Sequence, residues 1–241
     1  MSESVDCRYQ ELEERIGYFF KNRELLVKAL THSSFAYERR DTGAVHEDNE
    51  RLEFLGDGLL DFVVGEFLFR RVTDRDEGYL SKTRALVVCE GTLAEASADI
   101  ALGPLLRFGR GEELTGGRQK FSNLANAMEA LFAAVFLDGG FDAARAVILD
   151  VLSTYAEQAL RGELVFDYKS KVLELAQTKG QTCKVQFVIV EESGPVHERV
   201  YTAEILADGA AVARGTGQSK KMAEQAAAKA AYPFFRKKNR I

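Results

Sequence analysis

The chain has 241 residues, enough for one large or two modest domains, and its hydrophobic fraction of 46% is that of a folded globular protein. A net charge of −5 argues at first against a nucleic-acid ligand. No apolar run approaches the roughly 20 residues needed to cross a bilayer, so we expect no membrane partner. The polar, acidic start does not predict a signal peptide. The three widely spaced cysteines predict free thiols in the cytoplasm rather than disulfides or a zinc cluster.

The average charge conceals a division of the chain into two parts. Residues 166–241 contain 13 Lys and Arg side chains and 8 Asp and Glu side chains, a net charge of +5. The rest of the chain carries a net charge of −10. This asymmetry indicates a basic module joined to an acidic one.

Residues 8–160 show a helical pattern, with apolar residues three or four positions apart in LLVKAL, RLEFLGDGLLDFVVGEFLF and NLANAMEALFAAVFL. No alternating strand pattern interrupts them. The pattern predicts an all-α domain of several helices. Breaks between the helices are expected at four turn-forming sites: Asp41-Thr42-Gly43, Asp76-Glu77-Gly78, Gly116-Gly117 and Gly139-Gly140.

A short linker is predicted at 161–166, and residues 167–236 have a mixed pattern. A helix over 168–178 precedes three Val-, Ile- and Tyr-rich strands in KVQFVIVEE, RVYTAEILAD and AAVARGTGQ. Turns at Ser193-Gly194-Pro195 and Asp208-Gly209 separate the strands, and a final run of strong helix formers continues until Pro233. The order α-β-β-β-α predicts a small α+β domain.

Four acidic residues of the first part share one helical face. At ~100° per residue, Glu50, Glu53, Asp57 and Asp61 fall within about an 80° arc. Such a face is either a solvated acidic surface or a cation site, and spacing alone leaves both open. The surrounding leucines and phenylalanines favour semi-buried carboxylates, which need a cation such as Mg²⁺ or Mn²⁺.

Two further acidic positions have simpler local interpretations. Glu129 follows Asn126 by three residues and shares its helical face, beside a predicted core of apolar residues. A single Glu at the edge of an apolar helix is usually structural. Glu77 follows Asp76, and on local grounds it is an acidic residue at a helix start, favoured by the helix dipole.

The stretch Asn49-Glu50-Arg51-Leu52-Glu53-Phe54-Leu55-Gly56-Asp57 resembles the signature of the ribonuclease III family. Supporting segments occur in the family's order, and the resemblance extends over residues 9–235. It implies a homodimeric, metal-dependent endonuclease that hydrolyses double-stranded RNA to staggered ends with a 5′-phosphate and a 3′-hydroxyl. It also implies roles in ribosomal, messenger or small-RNA processing, and no nucleotide cofactor.

The resemblance implies roles for individual residues. Glu53, Asn126 and Glu129 would be metal ligands for Mg²⁺, with Mn²⁺ as a substitute, and Asp57 would act with Glu129 in catalysis. Further residues would lie at the catalytic valley and dimer interface: Glu50, Phe54 and Glu77. One departure is important, because the family usually has Asp where this chain has Asn126, and a neutral amide lowers metal affinity. Gly58 also stands where Ser is more usual.

The basic part resembles the double-stranded RNA-binding domain, most strongly in Gly215-Thr216-Gly217-Gln218-Ser219-Lys220-Lys221. Lysines at a helix N-terminus, where backbone N–H groups are free, suit a phosphate. The resemblance implies duplex contacts on the first helix, in a loop and at the last helix: Ser170, Glu174, Gln177, His197, Ser219, Lys220 and Lys221. Leu173 departs from the family, which often has Gln there. No Walker loop occurs.

Two other functions remain open at this level. Asn126 leaves room for a dimer that binds duplex RNA but cleaves it weakly or not at all. Alternatively, the acidic helix is only an assembly surface of a scaffolding protein, which would bind neither metal nor RNA. The basic C-terminal part argues against the scaffold.

Overall fold

The computed structural model describes residues 3–39, 47–165, 167–177, 183–195 and 199–238. The chain divides into two compact units, Met1–Leu164 and Val165–Ile241. The first is helical and the second combines helices with a sheet, so the predicted fold class is confirmed.

The first unit is built from α-helices and two short 3₁₀ turns in its described residues. The α-helices are α1 (Glu3–Ile16), α2 (Arg23–Ala29), α3 (Ser33–Glu38), α4 (Glu50–Arg71), α5 (Glu77–Val88), α6 (Glu90–Asp99), α7 (Arg110–Leu114) and α8 (Phe121–Leu160).

Three of the four predicted helix breaks are confirmed. Asp76 lies immediately before α5, where its side chain accepts a hydrogen bond from the Tyr79 N–H at 2.9 Å. Gly116 and Gly117 lie between α7 and α8. At Gly140 the backbone of α8 leaves the helical conformation (φ 81°, ψ −177°), so the two halves of α8 meet at a kink. The break expected at Asp41-Thr42-Gly43 lies outside the described residues.

The core of the first unit forms where α4 packs against α8. The first half of α8 carries a buried apolar face, on which Met128, Leu131 and Phe132 have no exposed surface. Leu60 and Val63 of α4 are equally enclosed. Burial of such side chains contributes about 1.5–3 kcal/mol each. The two helices that carry most of the predicted acidic residues are therefore held rigidly against each other.

The second unit contains α9 (Tyr168–Ala176), the strands β1 (Val185–Ser193), β2 (Val200–Ala207) and β3 (Ala210–Gly217), and α10 (Lys220–Lys238). The strands form an antiparallel sheet in the order β1-β2-β3. Asp208 and Gly209, both with positive φ, connect β2 to β3, as expected for an Asp-Gly hairpin turn. One face of the sheet packs against the helices around Ile205, Ala227 and Phe235.

The prediction that helix-forming sequence stops at Pro233 is wrong, because α10 continues through this residue to Lys238. Proline removes one backbone hydrogen bond and usually kinks or ends a helix. Here Phe235 is only 1% exposed, in the core of the unit, and Phe234 packs edge-on against its ring. The apolar burial of the final turns offsets the lost hydrogen bond.

The two glycines of the Gly-x-Gly segment are required by packing. A Cβ atom on Gly215 would lie 2.0 Å from the backbone nitrogen of Ala227, and one on Gly217 would lie 2.6 Å from the Cβ of Met222. β3 and α10 can approach this closely only without those side chains. The segment therefore sets where α10 begins, and with it the position of the lysines in its first turn.

Candidate functional site

An open cleft of about 470 Å³ lies in the first unit, between the start of α4 and the first half of α8. Most of its lining is polar, and it includes six of the residues predicted for the active site. The lining residues are His32, Ser33, Asn49, Glu50, Glu53, Phe54, Asp57, Asn126 and Glu129.

Gly56 determines how closely the two walls of the cleft approach. It is buried in α4, and a Cβ atom at this position would lie 2.0 Å from the carbonyl oxygen of Glu129. Because that neighbour is backbone, it could not rotate away. The close contact brings Glu53 and Asp57 of α4 opposite Asn126 and Glu129 of α8. Gly58 is different, since nothing lies within 4 Å of a Cβ built there.

The carboxylates of the cleft are crowded without basic partners. Within the described residues, Glu50, Glu53, Asp57 and Glu129 form no ion pair. Burial, followed by the negative charges of Asp57, Glu53 and Asp61, raises the pKa of Glu129 to about 7. Burial and the charge of Glu50 also raise the pKa of Glu53, whereas hydrogen bonding by Asn126 opposes that shift. The cleft thus concentrates negative charge that only a proton or a cation can relieve.

The residues present fit a divalent cation, although they do not form a complete cage. No group of three His, Cys, Asp or Glu side chains in the described parts of the chain has the spacing of a metal site. Glu53 and Glu129 supply two carboxylates, and Asn126 adds a neutral carbonyl oxygen. Oxygen-only donors of this kind suit a hard cation such as Mg²⁺, which keeps several of its waters.

Three residues of the cleft were not predicted as site residues. Asn49 is 4% exposed, and its side-chain amide donates to the carbonyl oxygen of Ala29 at 3.3 Å, which ties the start of α4 to α2. His32 caps α3 by accepting from the Ser34 N–H at 3.2 Å. It also faces the cleft together with Ser33. The family resemblance includes the segment Leu30-Thr31-His32-Ser33-Ser34, but no role in the site was predicted for it.

Glu77 is not brought to the cleft in the single chain. It begins α5, is exposed, and accepts a hydrogen bond from the Ser81 hydroxyl at 2.6 Å. Its place at a helix start fits the local interpretation. Its role at a dimer interface stays a prediction. Asp61 is also absent from the lining, and its carboxylate lies 3.5 Å from the guanidinium of Arg84.

The aromatic residues of α4 are more exposed than the semi-buried surroundings predicted for the acidic helix. Leu52 and Leu60 are buried, but Phe54 and Phe62 are 85% and 62% exposed. They therefore do not enclose the acidic residues within one chain. Phe69 is 72% exposed as well, and Phe54, Phe62 and Phe69 share one face of the helix, within about an 80° arc.

In the second unit, the predicted contacts on the first helix lie on its solvent-accessible surface. Ser170, Glu174 and Gln177 are all exposed. The side chain of Asp167 caps α9 by accepting from the Ser170 N–H at 3.0 Å, and it also accepts from the Gln225 amide at 2.7 Å. The start of α9 is therefore fixed to α10.

The start of α10 holds the other predicted contacts. Ser219 caps the helix, since its hydroxyl oxygen accepts from the Met222 N–H at 3.2 Å. The Lys220 ammonium lies 3.0 Å from a carboxylate oxygen of Glu192, whereas Lys221 forms no ion pair with a described residue. His197 lies outside the described residues.

Comparison with known proteins assigns a family model to each unit. Residues 22–155 match the model described as ribonuclease-III-like, and residues 168–232 match the double-stranded RNA binding motif. A protein named ribonuclease 3 from Caldanaerobacter subterraneus subsp. tengcongensis is 46% identical over 217 residues, which cover 90% of this chain and 93% of the relative. One of the same name from Pelotomaculum thermopropionicum is 46% identical over 220 residues, covering 91% and 90%.

A solved structure also resembles the first unit. It is the nuclease domain of ribonuclease III from Campylobacter jejuni, described as showing structural flexibility in a region involved in dimer formation. The sequences are 40% identical, the TM-score is 0.55, and the match covers 60% of this chain and 95% of that domain. Among the described residues, no helix combines the length and the apolar character needed to span a membrane.

Proposed function

The chain belongs to the ribonuclease III family, and from this premise we propose that it is an endoribonuclease that hydrolyses double-stranded RNA with a divalent metal ion, Mg²⁺ by preference. Its products would be staggered ends with a 5′-phosphate and a 3′-hydroxyl. The proposed division is a nuclease domain at 8–160, a linker at 161–166 and a duplex-binding domain at 167–236. Ribosomal, messenger and small-RNA precursors in the cytoplasm are the proposed substrates.

The crowding of carboxylates at Glu129 is the observation that carries the proposal. An acid whose pKa is raised to about 7 by burial and by its acidic neighbours is costly unless the cleft serves a purpose. An acidic cleft repels RNA by itself, and it becomes compatible with a phosphodiester only when cations reverse the local field. A divalent ion there would neutralise phosphate charge and activate water for hydrolysis.

The residues of the cleft then have separate tasks. Glu53 and Glu129 would hold the cation with two carboxylates, and the Asn126 amide oxygen would complete the set from the same face of α8. Asp57 would accept a hydrogen bond from an attacking water and so position it. No covalent protein nucleophile is required, because the proposed attacking group is water, and Ser34 instead braces the start of α3 by accepting from the Gly109 N–H at 2.9 Å.

The second unit would supply duplex binding. A-form RNA is recognised mainly by its shape, its phosphates and its 2′-hydroxyls. The exposed polar residues of α9 suit 2′-hydroxyls, while Ser219, Lys220 and Lys221 suit phosphates at the start of α10. His197 is proposed as a second minor-groove contact.

We further propose a homodimer, which the exposed aromatic residues of α4 support. Phe54, Phe62 and Phe69 present a large apolar surface on one face of a helix, and such surfaces commonly mark protein interfaces. Glu50 and Glu77 are proposed at the same interface. Sedimentation equilibrium should give twice the mass of the chain, and a monomer at micromolar concentration would contradict this assembly.

The test of the activity is cleavage of a labelled RNA duplex by the full chain, with Mg²⁺ or with EDTA. Cleavage should require the metal, and the products should accept ligation as 5′-phosphates. Activity that persists in EDTA would contradict the mechanism.

The variant Asn126→Asp tests the departure from the family. An added carboxylate should tighten Mn²⁺ binding by about tenfold, as measured by electron paramagnetic resonance, because ligand charge dominates affinity in oxygen sites. If the natural chain binds duplex but cleaves it only after this substitution, it is a duplex binder rather than a nuclease.

A further inference from the structure

Glu192 lies between two basic residues near the start of α10. Its Oε1 atom is 3.0 Å from the Nζ of Lys220, and its Oε2 atom is 3.8 Å from a guanidinium nitrogen of Arg199. Lys220 also lies over the ring of Tyr201, at 5.6 Å. Glu192 is therefore the carboxylate that compensates one of the two lysines predicted to bind phosphate.

The two lysines of the first turn of α10 are not equivalent. Lys220 has a carboxylate partner, and this hydrogen bond raises the pKa of Lys220 above its ordinary value. Lys221 has no ion pair among the described residues. Its charge contributes to lowering the pKa of Asp167, but the two groups are too far apart to form an ion pair. An incoming phosphate thus meets one lysine without an ion pair among the described residues and one that already has a carboxylate partner.

We infer that Glu192 competes with RNA phosphate for Lys220 and so lowers the affinity of the chain for duplex RNA. This inference rests on the proposed function of α10 as a phosphate-binding element. When a phosphate approaches, Lys220 must leave Glu192 or share its ammonium group with two anions. The carboxylate also repels the phosphate directly, since both groups would lie within a few ångströms of the same nitrogen.

A positioning role for Glu192 would have the opposite effect, and the geometry argues against it. The side chains of Lys220 and Glu192 are 61% and 39% exposed, so water competes for their contact. A lysine is a flexible point charge with three rotatable donors, unlike the planar fork of arginine, so an exposed pair orients it poorly. Competition is therefore the larger effect.

The test compares Glu192→Gln with Glu191→Gln in the full chain. Both substitutions remove one negative charge from β1, but Glu191 has no ion pair or side-chain hydrogen bond with a described residue, and adjacent strand residues point to opposite faces. Binding to an RNA duplex is measured in EDTA, so that cleavage cannot interfere. Circular dichroism and thermal unfolding confirm that both variants are folded.

Glu192→Gln should tighten duplex binding by about two- to fivefold, the range expected when an exposed ion pair is removed as a competitor. Its salt dependence should steepen, because one more phosphate contact releases counterions. Glu191→Gln should change affinity by less than about twofold. Equal effects of the two variants, or weaker binding by Glu192→Gln, would overturn the inference.

A double substitution strengthens the test. Lys220→Gln should cost more affinity in the Glu192→Gln background than in the natural chain, because only there is the lysine fully available to phosphate. Equal costs would show that the pair does not influence binding. If the natural chain fails to bind duplex at all, the proposed function falls and this inference with it. If it binds and the two glutamate variants behave alike, only the inference falls.

Discussion

Two sites are proposed to contact RNA phosphates: the cleft between α4 and α8, and the start of α10. Their charged residues differ, because those of the cleft have no oppositely charged partner among the described residues, whereas one lysine of α10 is ion-paired. In the cleft, Glu53 and Glu129 are crowded with other acids and have no basic partner among the described residues, and the pKa values of both are raised. At α10, Lys220 is paired with Glu192 before any ligand arrives. One site is left electrostatically unfavourable and the other is partly neutralised.

This difference affects binding through the free state of the protein. Uncompensated charges raise the free energy of the empty cleft, so a cation that relieves them binds more strongly. A pre-formed ion pair lowers the free energy of the empty surface, so a ligand that must break it binds more weakly. The cleft therefore suits firm capture of a metal ion, and α10 suits reversible binding of a long polyanion.

Removing the charge of Glu129 should produce the largest effect on this contrast. Glu129→Gln keeps the shape of the side chain but takes away a proposed metal ligand, and cleavage of a duplex should fall at least about a thousandfold. Duplex binding in EDTA should stay unchanged, since the lysines of α10 are untouched. Cleavage within tenfold of the natural chain would contradict the role of Glu129.

The same substitution should stabilise the metal-free protein at high pH. The pKa of Glu129 rises from 4.5 to about 7 in the folded chain, so the protein loses stability as pH increases through that window, and the loss is complete above it. Glu129→Gln should therefore raise the free energy of unfolding at pH 8 by about 1–3 kcal/mol, and by little at pH 4. Urea unfolding in EDTA measures this. Asp150→Asn, which removes an exposed acid from the same helix, is the control, and it should change the free energy of unfolding by less than about 0.5 kcal/mol.

Gly56→Ala tests whether the close approach of α4 and α8 creates the crowding. The new Cβ atom would collide with the Glu129 backbone at 2.0 Å, so the helices must separate. The free energy of unfolding should fall by about 3 kcal/mol, as for overpacked cores. In protein that remains folded, the pKa of Glu129 should move back toward 4.5, which carbon-13 NMR of the carboxyl groups can follow.

Gly58→Ala is the matched control on the same helix. Nothing lies within 4 Å of a Cβ built at Gly58, and alanine is the better helix former by about 1 kcal/mol. This variant should be slightly more stable than the natural chain. If the two alanine variants were equally stable, the contact between Gly56 and Glu129 would not hold the cleft together.

Much of this architecture follows from local sequence patterns. Apolar spacing predicted the helices of the first unit, and alternation with turn residues predicted β1, β2 and β3, because both patterns reflect which side chains each element buries. The end of α10 was predicted wrongly at Pro233, because proline usually ends a helix. Here the burial of Phe235 in the core stabilises the helix beyond the proline. A single sequence gives no measure of such packing.

The cleft could be predicted in part, for a similar reason. Helical spacing placed Glu53 and Asp57 on one face, but only the family resemblance joined them to Glu129, which is more than 70 positions away in sequence. The role of Gly56 depends on a contact between two helices and leaves no local signal. Phe54 and Phe62 were expected among the apolar surroundings of semi-buried acids, but both are exposed in the single chain, and exposed apolar surfaces commonly mark protein interfaces.

The smallest expected effect separates the two lysines of α10. If pairing with Glu192 reduces the availability of Lys220, then Lys221→Gln should weaken duplex binding by about three- to tenfold and Lys220→Gln by only about twofold. Both losses should be uniform across duplex sequences, because phosphate contacts carry no base information. Titrations at several salt concentrations measure the difference, and the salt slope should decrease more for Lys221→Gln. Equal losses would mean that RNA displaces Glu192 from Lys220 at no cost in free energy. The ion pair of α10 would then have no effect on the affinity for duplex RNA, and the contrast with the uncompensated cleft would not extend to binding.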